Sequence, residues 1–213
     1  VDNENAYYYS EDNVLFNKDK SSLLICPESK AGSYEVPESV ITIAADASAD
    51  CSQLTAITLP AGLKKIDVAA FAGCSGITAI ELPSGITTIY SSTFIGCSSL
   101  AKIIIPNGVT TIETQAFYNC RSLSSITIPA SVKAIGTNAF YNCSDLTIYG
   151  INGSYAQQYA LDKNISFVVI TPTPDSSDPV QMDSIRGDPN QKDVIMTSTI
   201  STSVFYGYNV VEV

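Results

Sequence analysis

A β-rich solenoid, a coil of stacked 23-residue units, is the fold class that the sequence predicts, and three observations carry it. Cys51, Cys74, Cys97, Cys120 and Cys143 are each 23 residues apart. Pro37, Pro60, Pro83, Pro106 and Pro129 repeat the same interval. A fixed period of roughly 20 to 50 residues in two residue types signals a repeat architecture. Within each unit the stretches rich in Thr, Ile and Val are short and bounded by Pro and Gly, and none shows the apolar spacing of a helix.

Five copies align without a gap over residues 37–150. Counted from the proline the unit reads P-x-[GS]-[VIL]-x-x-I-x-x-x-A-F-x-x-C-x-x-[LI]-x-x-I-x-[IL], and the copy from Pro106 to Ile128 follows it in full. One strand is expected over the pattern of Leu123, Ile126 and Ile128, a second over Val109 and Ile112. Strand alternation sends Ile126 and Ile128 inward and leaves Ser125 and Thr127 outside. Proline ends the first strand where no ladder N–H is needed, and Gly108 suits the turn that follows. The Phe of each Ala-Phe pair is expected to fill the wide part of the coil, with the small Ala letting backbones approach. A single unit cannot bury these groups, so stacking supplies the core. The first copy has Ala47-Ser48 in place of Ala-Phe, as suits an end coil, and the third has Thr93 at the Ala place.

After the array, residues 151–170 form an expected C-terminal cap. Ser154 is placed to cap a short helix carrying Tyr155, Tyr159 and Ala160 on one face, and the strand that follows would cover the open edge. Residues 171–180, with Pro172, Pro174 and Pro179 among Ser, Thr and Asp, are too polar to pack and read as a linker. Residues 181–213 contain strand-like stretches at 194–197 and 204–206 but are too few for an independent core, and read as part of a larger module.

Composition excludes several functions. Eleven Lys and Arg stand against 21 Asp and Glu, a formal charge of −10. Neither a nucleic acid nor an anionic membrane attracts such a surface. The chain has no His, which removes the usual triads, most zinc sites and the commonest general base near neutral pH. No apolar run approaches the length of a membrane span, and the polar start from Val1 is no signal peptide. Without an initiator Met, the chain is taken as a mature or trimmed piece of something longer.

The L-x-x-I-x-[IL]-P-x-x-V-x-x-I-x-x-x-A-F-x-x-C unit resembles the BspA-like, or Treponema-type, leucine-rich repeat family. The resemblance extends to the flanks. The segment Asp12 to Lys20 with Leu23 to Pro27 is similar to the hairpin that opens such arrays, so residues 1–36 are expected to be an N-terminal hairpin cap. Gly153 to Ala160 with Ile165 to Val168 is similar to the closing segment. The resemblance implies a right-handed leucine-rich repeat coil with short parallel strands, in a protein exported by anaerobic or host-associated bacteria. The expected localisation is therefore extracellular or on the cell surface, with a signal peptide already removed. The unit departs from ordinary leucine-rich repeats in carrying Gly or Ser where those have Asn or Cys, so the familiar asparagine ladder is missing.

Candidate sites are weighed against plain structural roles. Stacked rungs keep the cysteine side chains parallel, which suits a buried ladder of reduced thiols better than disulfides or a metal site needing converging ligands. Cys26 lies outside that register and reads as a lone core thiol. Terminal rungs are expected to be leakier, with Cys51 the candidate because of Ser48. Array carboxylates sit at different repeat positions except Asp67 and Glu113, which share one two rungs apart. No pair stands on adjacent rungs as glycoside hydrolysis would require, so neither a catalytic residue nor a cofactor is assigned. Asp188 to Asp193 resembles the start of a calcium loop but lacks Gly at the sixth place and an acid at the twelfth, where Thr199 stands, so no metal is assigned. Arg186-Gly187-Asp188 is the integrin-type tripeptide, short enough to arise by chance.

The repeated outward columns are the expected working surface. They run through Lys65, Thr88 and Thr111, through Asp67, Tyr90 and Glu113, and through Ala72, Ile95, Tyr118 and Tyr141. Exposed aromatic side chains in a row can grip a protein or a sugar. The reading is a non-enzymatic binding or adhesion module, its partner a protein or glycan ligand such as host extracellular matrix or a receptor, with no nucleic acid and no membrane insertion. A structural spacer and an accessory domain of an exported enzyme are the rival readings.

Overall fold

The computed structural model describes residues 4–172 and the strand Tyr208–Val210. Five features expected from the sequence lie outside the described residues: most of the linker, Arg186-Gly187-Asp188, the loop at 188–193, and the stretches at 194–197 and 204–206.

The coil is a β-solenoid built from two kinds of strand. Longer strands occur at Gly32–Glu35, Leu54–Thr58, Ala79–Glu81, Lys102–Ile104, Ser125–Thr127 and Thr147–Gly150. Short ones occur at Thr42–Ile43, Lys65–Ile66, Thr88–Ile89, Thr111–Ile112 and Ala134–Ile135. Within each series the paired strands are parallel, and the partners inside the repeats are one period apart, as in Lys102 beside Ala79 and Thr111 beside both Thr88 and Ala134. Parallel stacking is what a 23-residue turn of chain requires, because each residue returns above its counterpart.

Gly32–Glu35, in the segment read from sequence as a cap, pairs with Leu54–Thr58 in the same way, with Ser33 beside Ala56 and Glu35 beside Thr58. Ahead of it, Tyr8–Glu11 and Val14–Asn17 form an antiparallel hairpin. Asp12 and Asn13 turn it at φ 49° and 64°, a left-handed pair suited to a tight hairpin turn. Ser22–Ile25 pairs antiparallel with Val14–Asn17 and parallel with Thr42–Ile43, and so joins the hairpin to the coil.

The inward file of the coil is apolar apart from Ser48 and Thr93. Phe71, Phe94, Phe117 and Phe140 are buried and stacked, ring centroids 5.7, 5.4 and 5.2 Å apart with interplanar angles of 9° or less. Thr93, also buried, satisfies its hydroxyl by donating to the Tyr90 carbonyl at 2.8 Å. Main-chain bonds tie coil to coil beside the rings: Phe94 N donates to Ala116 O at 2.9 Å and Phe117 N to Ala139 O at 2.8 Å.

Two positions per coil are left-handed, which periodicity of apolar residues does not announce. Asp46, Ala69, Ser92, Gln115 and Asn138 have φ between 54° and 58°, and Asp50, Gly73, Gly96, Asn119 and Asn142 have φ between 58° and 73°. The second column is legible afterwards as the Asp, Gly or Asn before each repeat cysteine, the residue types that tolerate this region.

At the C-terminal end the helix Tyr155–Lys163 starts on Ser154, whose hydroxyl accepts from Gln157 N, and stops on left-handed Asn164. Its buried residues are Ala156, Tyr159 and Ala160, and Tyr155 is exposed instead. Placing Tyr155 on the inner face was wrong by one position. It is Ala156, four residues before Ala160, that shares the buried face with Tyr159. Tyr159 meets Phe140 edge-on at 6.0 Å and so finishes the ring stack. Ser166–Pro172 pairs with Thr147–Gly150 and covers that edge, and its own far end pairs antiparallel with Tyr208–Val210.

Candidate functional site

The surface to be considered is the set of outward columns, and the coil positions each by alternation from a buried neighbour. On the longer strands Ala56, Ala79, Lys102 and Ser125 are exposed beside buried Ile57, Ile80, Ile103 and Ile126. On the short strands Lys65, Thr88 and Thr111 are only half-buried, next to buried Ile66, Ile89 and Ile112. Asp67, Tyr90 and Glu113, one residue past those isoleucines, are half-buried as well.

The structure brings three of these residues together. Lys65 Nζ lies 2.6 Å from Asp67 Oδ2 and sits over the Tyr90 ring at 5.2 Å from its centroid. The hydrogen bond from Lys65 holds the Asp67 carboxyl below its ordinary range, and the same bond raises Lys65. The group is thus a cation held between an anion on its own coil and an aromatic face on the next.

Glu113 stands apart from it. Its Oε2 accepts from both the backbone N and the Oγ of Ser91 at 2.9 Å, so this carboxylate binds one coil to its predecessor. Asp67 and Glu113 share a repeat position but do different work. Thr88 and Thr111 stand opposite each other in parallel register on neighbouring coils.

The third column is aromatic where it is nearest the C-terminal end. Tyr118 and Tyr141 stack with centroids 5.0 Å apart and an interplanar angle of 17°. Tyr118 is half-buried, and Tyr141 is 57% exposed. Next to it Asn142 Nδ2 donates to Asn119 Oδ1 at 2.7 Å, a short amide ladder that periodicity alone did not reveal. Tyrosines and amides on adjacent coils make a polar-edged aromatic strip of the kind found at protein contact surfaces.

The cysteine column is free of disulfides and lies inside. Each thiol makes a bond that was not foreseen: Cys74, Cys97, Cys120 and Cys143 donate to the carbonyls of Ser48, Phe71, Phe94 and Phe117 at 3.0 to 3.2 Å. These carbonyls lie 26 residues back, so the thiols satisfy main-chain acceptors of the preceding coil, as the absent asparagines would. Burial pushes the thiols up, Cys74 and Cys143 to about 12 and Cys97 well above its ordinary value.

Cys51 is fully buried and Cys143 is half-exposed, the reverse of the expected leak at Cys51. The reason is the additional turn of chain ahead of Cys51, whose Cys26 and Pro27 carbonyls lie 3.6 and 3.4 Å from its sulfur. Among the described residues, the chain beyond Cys143 turns into the helix Tyr155–Lys163 and makes no further coil of the same length.

A family model described as the BspA type leucine rich repeat region matches residues 27–147 in six copies, more than half of the chain. Among solved structures the chain is similar to the leucine-rich repeat protein of Treponema pallidum, with 30% identity and a TM-score of 0.57 over 63% of this chain and 66% of that one. A leucine-rich repeat protein from Bacteroides ovatus ATCC 8483 shares 27% identity and a TM-score of 0.56 over 71% of this chain and 40% of its own. The pneumococcal vaccine antigen PcpA shares the fold at 24% identity, with a TM-score of 0.67 over 79% of this chain and 49% of its own. The chain therefore spans between about two fifths and two thirds of the length of these structures. No curated protein sequence matches it significantly.

Proposed function

Because the chain belongs to the BspA-type leucine-rich repeat family, we propose that it is a non-enzymatic binding and adhesion module of a bacterial cell-surface or secreted protein, with a host protein or glycan as its ligand. The observation that carries the reading is the Tyr118–Tyr141 stack, aromatic area held on two successive coils with Tyr141 largely open to solvent. Rigid aromatic side chains give contact area with little loss of rotamer freedom, which is why they dominate binding hot spots. The Lys65, Asp67 and Tyr90 group supports it as a second polar contact on the same array. The acids of the columns serve as partners of Lys65 and Ser91, which favours a recognition surface over acid–base chemistry.

A host glycoprotein and glycan array probed with the purified chain tests the reading. Saturable binding that falls about tenfold or more in Tyr141→Ala, with an unchanged melting temperature, supports it. Absence of any saturable ligand would leave the structural spacer as the better account.

A further inference from the structure

We infer that Cys26 and Cys51 form an oxidisable dithiol, a disulfide-forming site at the N-terminal end of an otherwise inert thiol ladder. Four of the five ladder thiols donate to a carbonyl 26 residues back. Cys51 breaks the register, because its sulfur lies against the carbonyls of Cys26 and Pro27, 25 and 24 residues back. That shift brings the Cys26 residue itself alongside Cys51, and both side chains belong to the same buried cluster.

Ser48 makes the room. It is buried at the place where each later coil has a phenylalanine, and its hydroxyl has no hydrogen-bond partner there, while the Cys51 sulfur lies on the Cys26 carbonyl. Cys26 is a buried free thiol outside the ladder register, as its position in the sequence suggested, and the Cys51 sulfur lies against its carbonyl. The neighbouring Cys51 thiol, with the Lys30 ammonium adding a smaller effect, holds Cys26 below its ordinary value against the opposing effect of burial, while Cys51 is raised. Two buried cysteines whose residues touch, Cys51 Sγ lying 3.6 Å from the Cys26 carbonyl, can act as a nucleophile and its resolving partner.

The oxidant is a small peroxide. The Cys26 thiolate attacks one peroxide oxygen and the O–O bond breaks, giving sulfenic acid at Cys26 and, with the thiol proton, one water. The Cys51 sulfur then attacks the sulfenic sulfur, the S–O bond breaks, and the hydroxyl leaves with the Cys51 proton as a second water. The two sulfurs together lose two electrons and two protons, and the peroxide is reduced to two waters.

The test is hydrogen peroxide added to the reduced, folded chain at neutral pH, followed by alkylation, proteolysis and mass spectrometry. The expected product is one peptide pair linked through Cys26 and Cys51, lighter by two hydrogens, reversed by dithiothreitol, and accompanied by a higher urea midpoint because the link closes a loop of the unfolded chain. Cys26→Ser should abolish the link and Cys97→Ser should leave it intact. The wild-type peptide map stands without either variant. Linkage between ladder neighbours such as Cys74 and Cys97, overoxidation of Cys26 with no link, or oxidation at Cys143 alone would each overturn the inference.

Discussion

Replacing Phe117 by alanine should be among the most damaging single changes in the array, and the structure says by how much relative to its neighbours. Phe117 is fully buried, with Phe94 at 5.4 Å on one side and Phe140 at 5.2 Å on the other. Truncating a buried Phe costs about 3–5 kcal/mol, and the loss of two ring contacts at once places Phe117 in the upper part of that range. Phe71 is an internal control. It is equally buried but stacks on one ring only, since Ser48 takes the other place. Each aromatic pair adds about 0.5–1.5 kcal/mol beyond burial, so Phe71→Ala should be milder than Phe117→Ala by about that amount. Thr111→Ala, half-buried on an outward column, should cost about 0.5 kcal/mol or less. Urea melts followed by far-ultraviolet circular dichroism, with reductant present, rank the three. Equal midpoints for Phe117→Ala and Thr111→Ala, or a larger loss from Phe71→Ala than from Phe117→Ala, would show that the ring file does not bear the stability assigned to it.

Three further outcomes follow from the same geometry. A bulky thiol reagent should label Cys143 first and Cys97 and Cys120 last in the folded chain, and mass spectrometry showing early modification of Cys97 would contradict the burial order. The thiols of Cys74 and Cys143 are raised by burial from 9.0 to about 12. The unfolded chain therefore loses these protons first, and the stability they confer is complete below about pH 9 and disappears as pH climbs toward about 12. Urea midpoints in reducing buffer should fall across that window, less steeply in Cys143→Ala, and a midpoint that rises with pH would reverse the sign. Gly96 sits at φ 73°, where a Cβ would meet only the Gly73 main chain at an ordinary contact distance of 3.7 Å, while Asn119 and Asn142 occupy the same column at 62° and 59°. Gly96→Ala should thus cost about 1–2 kcal/mol and Gly96→Asn clearly less, and equal losses in a melt would deny the left-handed explanation.

The coil was legible because its determinants repeat: Phe71 to Phe140 and Cys51 to Cys143 return at one interval, and a buried column can be read by subtraction. Less legible were features that depend on how coils are offset. Glu113 reaches Ser91, and the thiols reach carbonyls 26 residues back, neither of which equals the 23-residue period. Residues near the start were also obscured. Ser33-Tyr34-Glu35-Val36-Pro37 matches Ala56-Ile57-Thr58-Leu59-Pro60 in spacing, but without a Cys or Phe at the expected distance nothing drew the count back beyond Pro37. Of the candidate surface, the column positions were readable, whereas the joining of Lys65, Asp67 and Tyr90 and the stacking of Tyr118 on Tyr141 required side-chain directions that spacing does not contain.

The main-chain bonds from Phe94 to Ala116 and from Phe117 to Ala139 join each coil to its immediate neighbour, and this has a mechanical meaning for a chain held at both ends. Tension applied along the array loads one inter-coil seam at a time, because the outermost coil can peel away while those behind it keep their own seams. Each release frees one 23-residue unit, about 75–80 Å of extended chain. A force–extension trace should therefore rise and drop in steps of that length, so that an array anchored at one end and loaded at the other yields gradually and dissipates a pull that would rupture a single cooperative domain at once.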